Sequence, residues 1–90
     1  MQKTISIIIR GKVQGVNFRQ GAQEKASALG IRGIVRNLPD KAVKIVATGD
    51  QAQLDDLLLW CKEGTSRAEA NDAETTDEEL RTFPDFRVVK

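Results

Sequence analysis

Histidine and tyrosine are absent from this 90-residue sequence, and cysteine occurs once, as Cys61. A lone cysteine cannot close an internal disulfide, so packing must hold the folded chain together, which fits a reducing compartment such as the cytoplasm. With no histidine and one cysteine, the sequence offers no His/Cys cluster at metal-ligand spacing. We therefore expect a domain that uses no metal and no cofactor.

Long hydrophobic runs are also lacking. The apolar run at 5–9 is far shorter than the roughly 18 residues that a membrane span needs, and it is too short for the core of a secretory signal. Hydrophobic residues still make up 40% of the chain, which is enough for one modest core in a single domain spanning residues 1–90. We expect a monomeric, cytoplasmic domain without membrane association.

A net charge of +1 conceals an uneven distribution of charge along the chain. Residues 1–45 contain nine Lys and Arg against two Asp and Glu, which gives +7, whereas residues 46–90 contain five against eleven, which gives −6. Clustered positive charge in the first half would steer a small anion toward it. The alternative is a solvated surface that is unevenly charged.

Hydrophobic periodicity predicts an alternating order of strands and helices. In chain order, the pattern predicts a strand at 5–9, a helix at 19–29, strands at 31–38 and 42–48 around a turn at 38–41, a helix from Asp50 to Gly64 with a capping box to Gln53, a weak polar strand at 65–76, an acidic loop at 77–79 and a last strand at 86–89. Right-handed crossovers would place both helices on one face of an antiparallel sheet. The predicted fold class is α+β, a ferredoxin-like β-α-β-β-α-β sandwich, with a split or extra terminal strand as a variant. The fold by itself hosts many functions.

The segment between the first strand and the first helix, residues 11–19, reads Gly-Lys-Val-Gln-Gly-Val-Asn-Phe-Arg. Glycines let a backbone approach a ligand closely, and successive loop N–H groups together with a helix N-terminus can hold an anion. Arg19 adds a planar fork of donors that matches phosphate geometry. Because the loop is neither a Walker A motif nor a dinucleotide fingerprint, a phosphate site and an ordinary tight connection are both open at this point.

The same segment carries a resemblance to a known family. Residues 11–19 match the acylphosphatase pattern Gly-x-Val-Gln-Gly-Val-x-Phe-Arg at every specified position, and residues 33–40 resemble the family's second signature, Gly-Trp-Val-Arg-Asn-x-x-Asp-Gly. The chain departs from that signature at Ile34, where the family has tryptophan, and at Lys41, where it has glycine. The resemblance covers nearly the whole chain and is weakest over 64–82.

This resemblance implies an acylphosphatase that hydrolyses the carboxyl-phosphate bond of a small-molecule acyl phosphate to carboxylate and inorganic phosphate. It assigns two catalytic residues: Arg19 binds the substrate phosphate, and Asn37 positions the attacking water, since an amide both donates and accepts hydrogen bonds. Backbone N–H groups of the loop 12–19 would complete the phosphate site, at Gln14, Gly15, Val16, Asn17, Phe18 and Arg19. A carboxylate leaves without protonation, so the reaction suits a chain that lacks metal ligands and histidine.

Other functions remain open on the sequence alone. A non-catalytic module that binds anions or acyl phosphates, or an interaction domain, would use the same fold. In such a module Arg19 would pair with surface carboxylates, and Asn37 would only initiate a turn. Binding of RNA is disfavoured because the four aromatic residues offer no stacking pair on a central strand. Hydrolysis of a model acyl phosphate separates the enzyme from the binding modules.

Overall fold

The computed structural model describes residues 1–14, 17–63 and 69–89. Its elements are, in chain order, β1 (Gln2–Lys12), α1 (Phe18–Leu29), β2 (Arg32–Asn37), β3 (Val43–Asp50), α2 (Gln51–Glu63), β4 (Glu69–Glu78) and β5 (Phe86–Val89). The strands form one sheet in the order β4-β1-β3-β2-β5. This arrangement confirms the predicted ferredoxin-like α+β class, with a fifth strand added at the edge beside β2.

The sheet is mixed, so the expectation of a purely antiparallel sheet was wrong in one strand pair. Three pairs are antiparallel, and β5 runs parallel to β2. The reason is topological: β4 lies at the edge beside β1 and runs antiparallel to it, so the chain leaves β4 at the end of the sheet where β2 begins. Residues 79–85 cross that end to the opposite edge, and β5 therefore enters in the direction of β2.

The core lies between the sheet and both helices. In β1 the side chains of Ile5, Ile7 and Ile9 are buried, as the alternation predicted. The buried helix positions are Phe18, Ala22 and Ala26 in α1 and Leu54, Leu57 and Cys61 in α2. Burial raises the pKa of the Cys61 thiol to about 12, so at neutral pH this side chain is an uncharged part of the core.

Hydrogen bonds fix the ends of the helices that face away from the candidate site. The predicted capping box is present: the Gln53 N–H donates to Asp50 Oδ1 at 3.0 Å, and the Asp50 N–H donates to Gln53 Oε1 at 2.9 Å. Gln53 Nε2 also donates to the Leu29 carbonyl at 2.8 Å. Gly30 ends α1 in the left-handed region, at φ 79°. The start of α2 is thereby tied to the end of α1.

β4 forms the edge of the sheet beside β1 and exposes charged side chains. Asp77 and Glu78 belong to this strand, so the acidic loop predicted at 77–79 was wrong at these two positions, because their backbones pair with β1. Lys3 Nζ lies 3.6 Å from Asp77 Oδ1, and Arg10 Nη1 lies 3.5 Å from Glu74 Oε2. Such exposed ion pairs stabilise the fold little, but charges on an edge strand oppose pairing with another chain.

Two buried threonines hold the crossing segment that leads to β5. The Arg81 N–H donates to Thr4 Oγ1 at 2.9 Å, and Thr48 Oγ1 donates to the Arg81 carbonyl at 2.8 Å. The two hydroxyl oxygens lie 2.6 Å apart. Because the Thr48 proton is used on the carbonyl, Thr4 is the donor between the hydroxyls. This network ties the crossing segment to β1 and β3.

Residues 38–42 connect β2 to β3 at the other end of the sheet, with three residues between the hydrogen-bonded Leu38 and Ala42. The Leu38 N–H donates to the Ala42 carbonyl at 2.8 Å, and the Lys41 N–H donates to the Leu38 carbonyl at 3.2 Å. Lys41 has φ 70°, the left-handed residue that follows the turn in three-residue hairpin loops. The family signature has glycine at this position. A side chain there costs about 1–2 kcal/mol because its Cβ approaches the following carbonyl oxygen.

We expect Lys41→Gly to raise the free energy of unfolding by about 1 kcal/mol, because glycine relieves the left-handed strain. The larger conformational entropy of glycine in the unfolded chain offsets part of this stabilisation. For a domain of this size that corresponds to a rise in Tm of about 4–8 °C. Urea denaturation measures it, with Lys41→Ala as the control that removes the charge and keeps Cβ. Equal stabilisation by both variants would contradict the prediction.

Candidate active site

The first turn of α1 presents backbone donors at its N-terminus. Asn17 adopts the left-handed region at φ 60° and ψ 23°, a conformation that asparagine tolerates better than most residues. The Gly21 N–H donates to the Asn17 carbonyl at 3.0 Å and so begins the helical ladder, which leaves the preceding N–H groups without helical acceptors. Within the described residues, the Asn17 side chain makes no capping hydrogen bond and the first turn contains no acidic residue. The positive end of the helix therefore lacks a built-in anion.

A cavity of about 400 Å³ opens at this end of α1. Its lining consists of Val13, Asn17, Phe18, Arg19, Gln20, Gln23 and Val88. Arg19 is partly buried and is the one charged side chain among these lining residues. Valine and phenylalanine side chains form part of the wall, so the cavity combines a cation and helix N–H groups with apolar surface. It falls within the size range of small-molecule sites.

Packing and hydrogen bonds keep the first turns of α1 in place. The Phe18 side chain is buried, and its ring centroid lies 5.2 Å from that of Trp60 in α2, with the ring planes tilted by 40°. Gln23 Nε2 donates to the Phe86 carbonyl at 3.1 Å and ties α1 to β5. This contact brings Val88 to the cavity wall. Arg19 thus projects from a turn that is anchored on both sides.

The loop residues proposed from the sequence have different positions in the structure. Asn17, Phe18 and Arg19 line the cavity, and the Phe18 residue is largely buried. Gly15 and Val16 lie outside the described residues. β1 continues through Lys12, so the connection is shorter than the predicted loop at 12–19.

The Gln14 side chain is bonded to the β2–β3 loop. Its Nε2 donates to the carbonyl of Leu38 at 3.1 Å and to that of Ala42 at 2.8 Å. Any contact of this residue with a ligand in the cavity is therefore left to its backbone N–H. That backbone role stays a prediction.

Asn37 is the last residue of β2 and is exposed. It pairs with Val43, which in turn pairs with Ile9 of β1. Alternation places the Asn37 side chain on the face of Val35, which is the face covered by the helices. The amide therefore shares the face and the end of the sheet from which β1 leads into the connection to Arg19. It is not among the residues that line the cavity.

Two other cations of the first half, Arg36 and Lys44, lie away from the cavity. They pair with each other in the β2–β3 register, and alternation turns both side chains to the face opposite Asn37. Among the described residues, Arg19 is the cation that contributes to the cavity lining.

Four lining residues were missed from the sequence: Val13, Gln20, Gln23 and Val88. The sequence could have identified Gln23, because it follows Arg19 by four positions and so lies on the same helix face. No local sequence pattern could have identified Val88, since its position depends on β5 running parallel to β2. The proximity of such distant segments is not encoded in local periodicity.

Two further findings concern the described part of the chain as a whole. No three His, Cys, Asp or Glu side chains in it lie close enough together to hold a metal ion. Neither of its helices is both long and apolar enough to cross a membrane.

Comparison with known proteins points to one family. The model of the acylphosphatase family matches residues 5–88. An acylphosphatase of Marinobacter nauticus is 46% identical over 86 residues, 92% of this chain and 91% of the relative. One from Acaryochloris marina is 40% identical over 86 residues, 96% of this chain and 92% of the relative. The crystal structure of an acylphosphatase from Bacillus subtilis superposes with a TM-score of 0.94 at 31% identity, covering 100% of both chains.

Proposed function

Because the chain belongs to the acylphosphatase family, we propose that Arg19 and Asn37 carry out its hydrolysis of the carboxyl-phosphate bond of a small acyl phosphate. The observation that supports this assignment is the cavity at the start of α1, where Arg19 lies beside helix N–H groups that the Asn17 side chain does not cap. A dianionic phosphoryl group matches these donors in charge and in geometry.

In the proposed reaction, Arg19 and the backbone N–H groups hold the non-bridging phosphoryl oxygens. The Asn37 amide orients a water molecule, whose oxygen attacks phosphorus as the bond from phosphorus to the carboxyl oxygen breaks. The carboxylate leaves with the electron pair of that bond. Because the described residues that line the cavity include no carboxylate, a phosphoryl oxygen is the proposed acceptor of the water proton. Positioning and electrostatic stabilisation then supply the catalysis.

The apolar part of the cavity suits the organic portion of the substrate. Val13, Phe18 and Val88 contribute to its wall, and its volume of about 400 Å³ exceeds what a phosphoryl group alone requires. We extend the proposal to a monomer in the cytoplasm, which is supported by the buried, uncharged Cys61 thiol and by the charged edge strand β4.

The purified protein should hydrolyse benzoyl phosphate, followed by loss of its ultraviolet absorbance, at an unchanged rate in excess chelator. The proposed catalysis uses side chains and backbone donors, so a chelator should not lower the rate. The active species should elute with the mass of one chain in light scattering. A folded protein that binds inorganic phosphate without turnover would instead indicate a binding module.

Arg19→Ala should lower kcat/KM by at least about 10³-fold, because it removes the cation that the described residues contribute to the cavity lining. The inhibition constant of inorganic phosphate should rise at least about tenfold, since a charge-assisted hydrogen bond is lost. Arg19→Lys should remain impaired by about 10²-fold, because an ammonium group cannot reproduce the planar fork. Arg36→Ala, on the other face of the sheet, is the matched control and should retain wild-type rates; equal losses in both variants would refute the assignment.

Asn37→Ala should lower kcat by about 10²-fold or more through loss of the oriented water. The inhibition constant of inorganic phosphate should stay within about threefold, because the phosphate donors are intact. Asn37→Asp should be worse in both respects, since its carboxylate repels the phosphoryl group. If Asn37→Ala weakens phosphate binding and leaves kcat intact, the amide is a phosphate ligand and the water-positioning role is wrong.

A further inference from the structure

The Gln14 side chain makes two hydrogen bonds that the phosphate site does not require. Its single NH₂ group donates to two backbone carbonyls, that of Leu38 at 3.1 Å and that of Ala42 at 2.8 Å. Both protons of the amide are therefore used. The side chain is partly buried, so these bonds are less exposed to competing water than bonds on an open surface.

The two acceptors are the closing carbonyls of the β2–β3 loop. The Ala42 carbonyl also accepts the Leu38 N–H at 2.8 Å, and the Leu38 carbonyl also accepts the Lys41 N–H at 3.2 Å. Each carbonyl therefore accepts two hydrogen bonds, one from within the loop and one from Gln14. Asp40 Oδ1 accepts the Ala42 N–H at 3.2 Å. The Gln14 amide is thus the contact that joins this internally bonded loop to the segment after β1.

The joined segments each lead to one of the two proposed catalytic residues. Leu38 directly follows Asn37, and Gln14 lies between the buried residue Val13 and the start of α1 that carries Arg19. The loop also contains Lys41 at φ 70°, a strained residue that would relax if the loop were free to move. A contact that fixes this loop therefore fixes the position of Asn37 relative to the helix N-terminus.

We propose that Gln14 is a positioning residue whose side-chain amide sets the water-holding Asn37 against the phosphate-binding turn. This inference rests on the proposed function. The backbone N–H of Gln14 remains available to a phosphoryl oxygen, so the two parts of the residue act separately. The amide reaches the reaction only through the loop.

The geometry explains why glutamine suits this position. Two carbonyl oxygens converge on one nitrogen, so the group between them must donate twice and carry no negative charge. Glutamate would place carboxylate oxygens against both carbonyls. Asparagine has the right chemistry but is one methylene shorter, and leucine has a similar volume without donors. These three replacements keep the backbone N–H and alter only the side chain.

The first experiment measures kcat, KM and inhibition by inorganic phosphate for Gln14→Leu, Gln14→Asn and Gln14→Glu with benzoyl phosphate. We expect kcat to fall by about 10- to 100-fold, because a displacement of about 1 Å at the reacting groups has effects of this size. The inhibition constant of phosphate should stay within about threefold in Gln14→Leu and Gln14→Asn. Weaker phosphate inhibition with unchanged kcat would mean that the amide binds phosphate directly, and would overturn the proposal.

A double-mutant cycle tests whether the effect passes through Asn37. In an Asn37→Ala background the water-holding amide is already gone, so Gln14→Leu should lower kcat by less than about twofold further. If the two losses multiply, Gln14 acts independently of Asn37, and the positioning role is wrong.

Two controls separate positioning from a general loss of stability. Gln53→Leu removes the bond from Gln53 Nε2 to the Leu29 carbonyl at 2.8 Å together with the capping-box bond from the Asp50 N–H, at the far end of the sheet. This variant should lower the free energy of unfolding and leave kcat unchanged. Lys41→Gly added to Gln14→Leu should restore stability without restoring kcat. Recovery of kcat in that double variant would show that Gln14 acts through stability alone, which overturns the proposal.

Hydrogen exchange distinguishes failure of this inference from failure of the proposed function. Gln14→Leu should lower the protection of the Leu38 and Lys41 amides at least about tenfold relative to the amides of β3, whether or not the protein turns over substrate. If the wild-type protein is active and Gln14→Leu leaves the protection of these amides unchanged, the positioning role of Gln14 is wrong. An inactive wild-type protein that shows this loss of protection refutes the proposed function and retains the structural role of Gln14.

Discussion

The register of β3 with its two neighbours is the constraint on which the site depends. Ile9, Val43 and Asn37 form one row across three strands, and Val43 is fully buried in its middle. A slip of one residue in β2 would turn Asn37 to the face opposite α1. Gly33 further restricts slippage, because its backbone lies so close to the Val46 carbonyl that a Cβ there would collide with it. The face of the sheet on which Asn37 lies is therefore decided by the packing of aliphatic side chains in the core.

The first turn of α1 lacks two features that usually stabilise a helix start. A helix start favours an N-cap side chain and acidic residues, each contributing about 0.5–1 kcal/mol. Here the N-cap is a left-handed Asn17 without a side-chain bond, and a cation occupies the first turn. Burial of the Phe18 ring against Trp60 offsets this, since burying such a side chain contributes about 1.5–3 kcal/mol. The helix is therefore held by its buried face, and its end remains available to an anion.

Features formed by residues close together in the chain could be predicted from the sequence, whereas features formed by distant segments could not. The capping box at Asp50 and the C-cap at Gly30 depend on residues a few positions apart, and the sequence predicted both. The direction of β5 depends on where β4 ends in space, and local patterns carry no information about that. A contiguous motif drew attention to Arg19, which lines the cavity, whereas the bonds of the Gln14 side chain reach 24 and 28 residues along the chain. The sequence thus pointed to the part of the cavity lining that is contiguous in the chain and carried no signal for contacts between separate segments.

The acidic character of β4 has a consequence for self-assembly. An edge strand presents unpaired backbone groups that another chain can extend, and charge is one means of preventing this. In β4 this protection depends on carboxylates such as Glu74, Asp77 and Glu78, which are exposed. Replacing them with neutral side chains would remove the repulsion and leave the pairing groups of the strand in place. Strand-by-strand polymerisation that begins from the folded protein would then have its template at this edge.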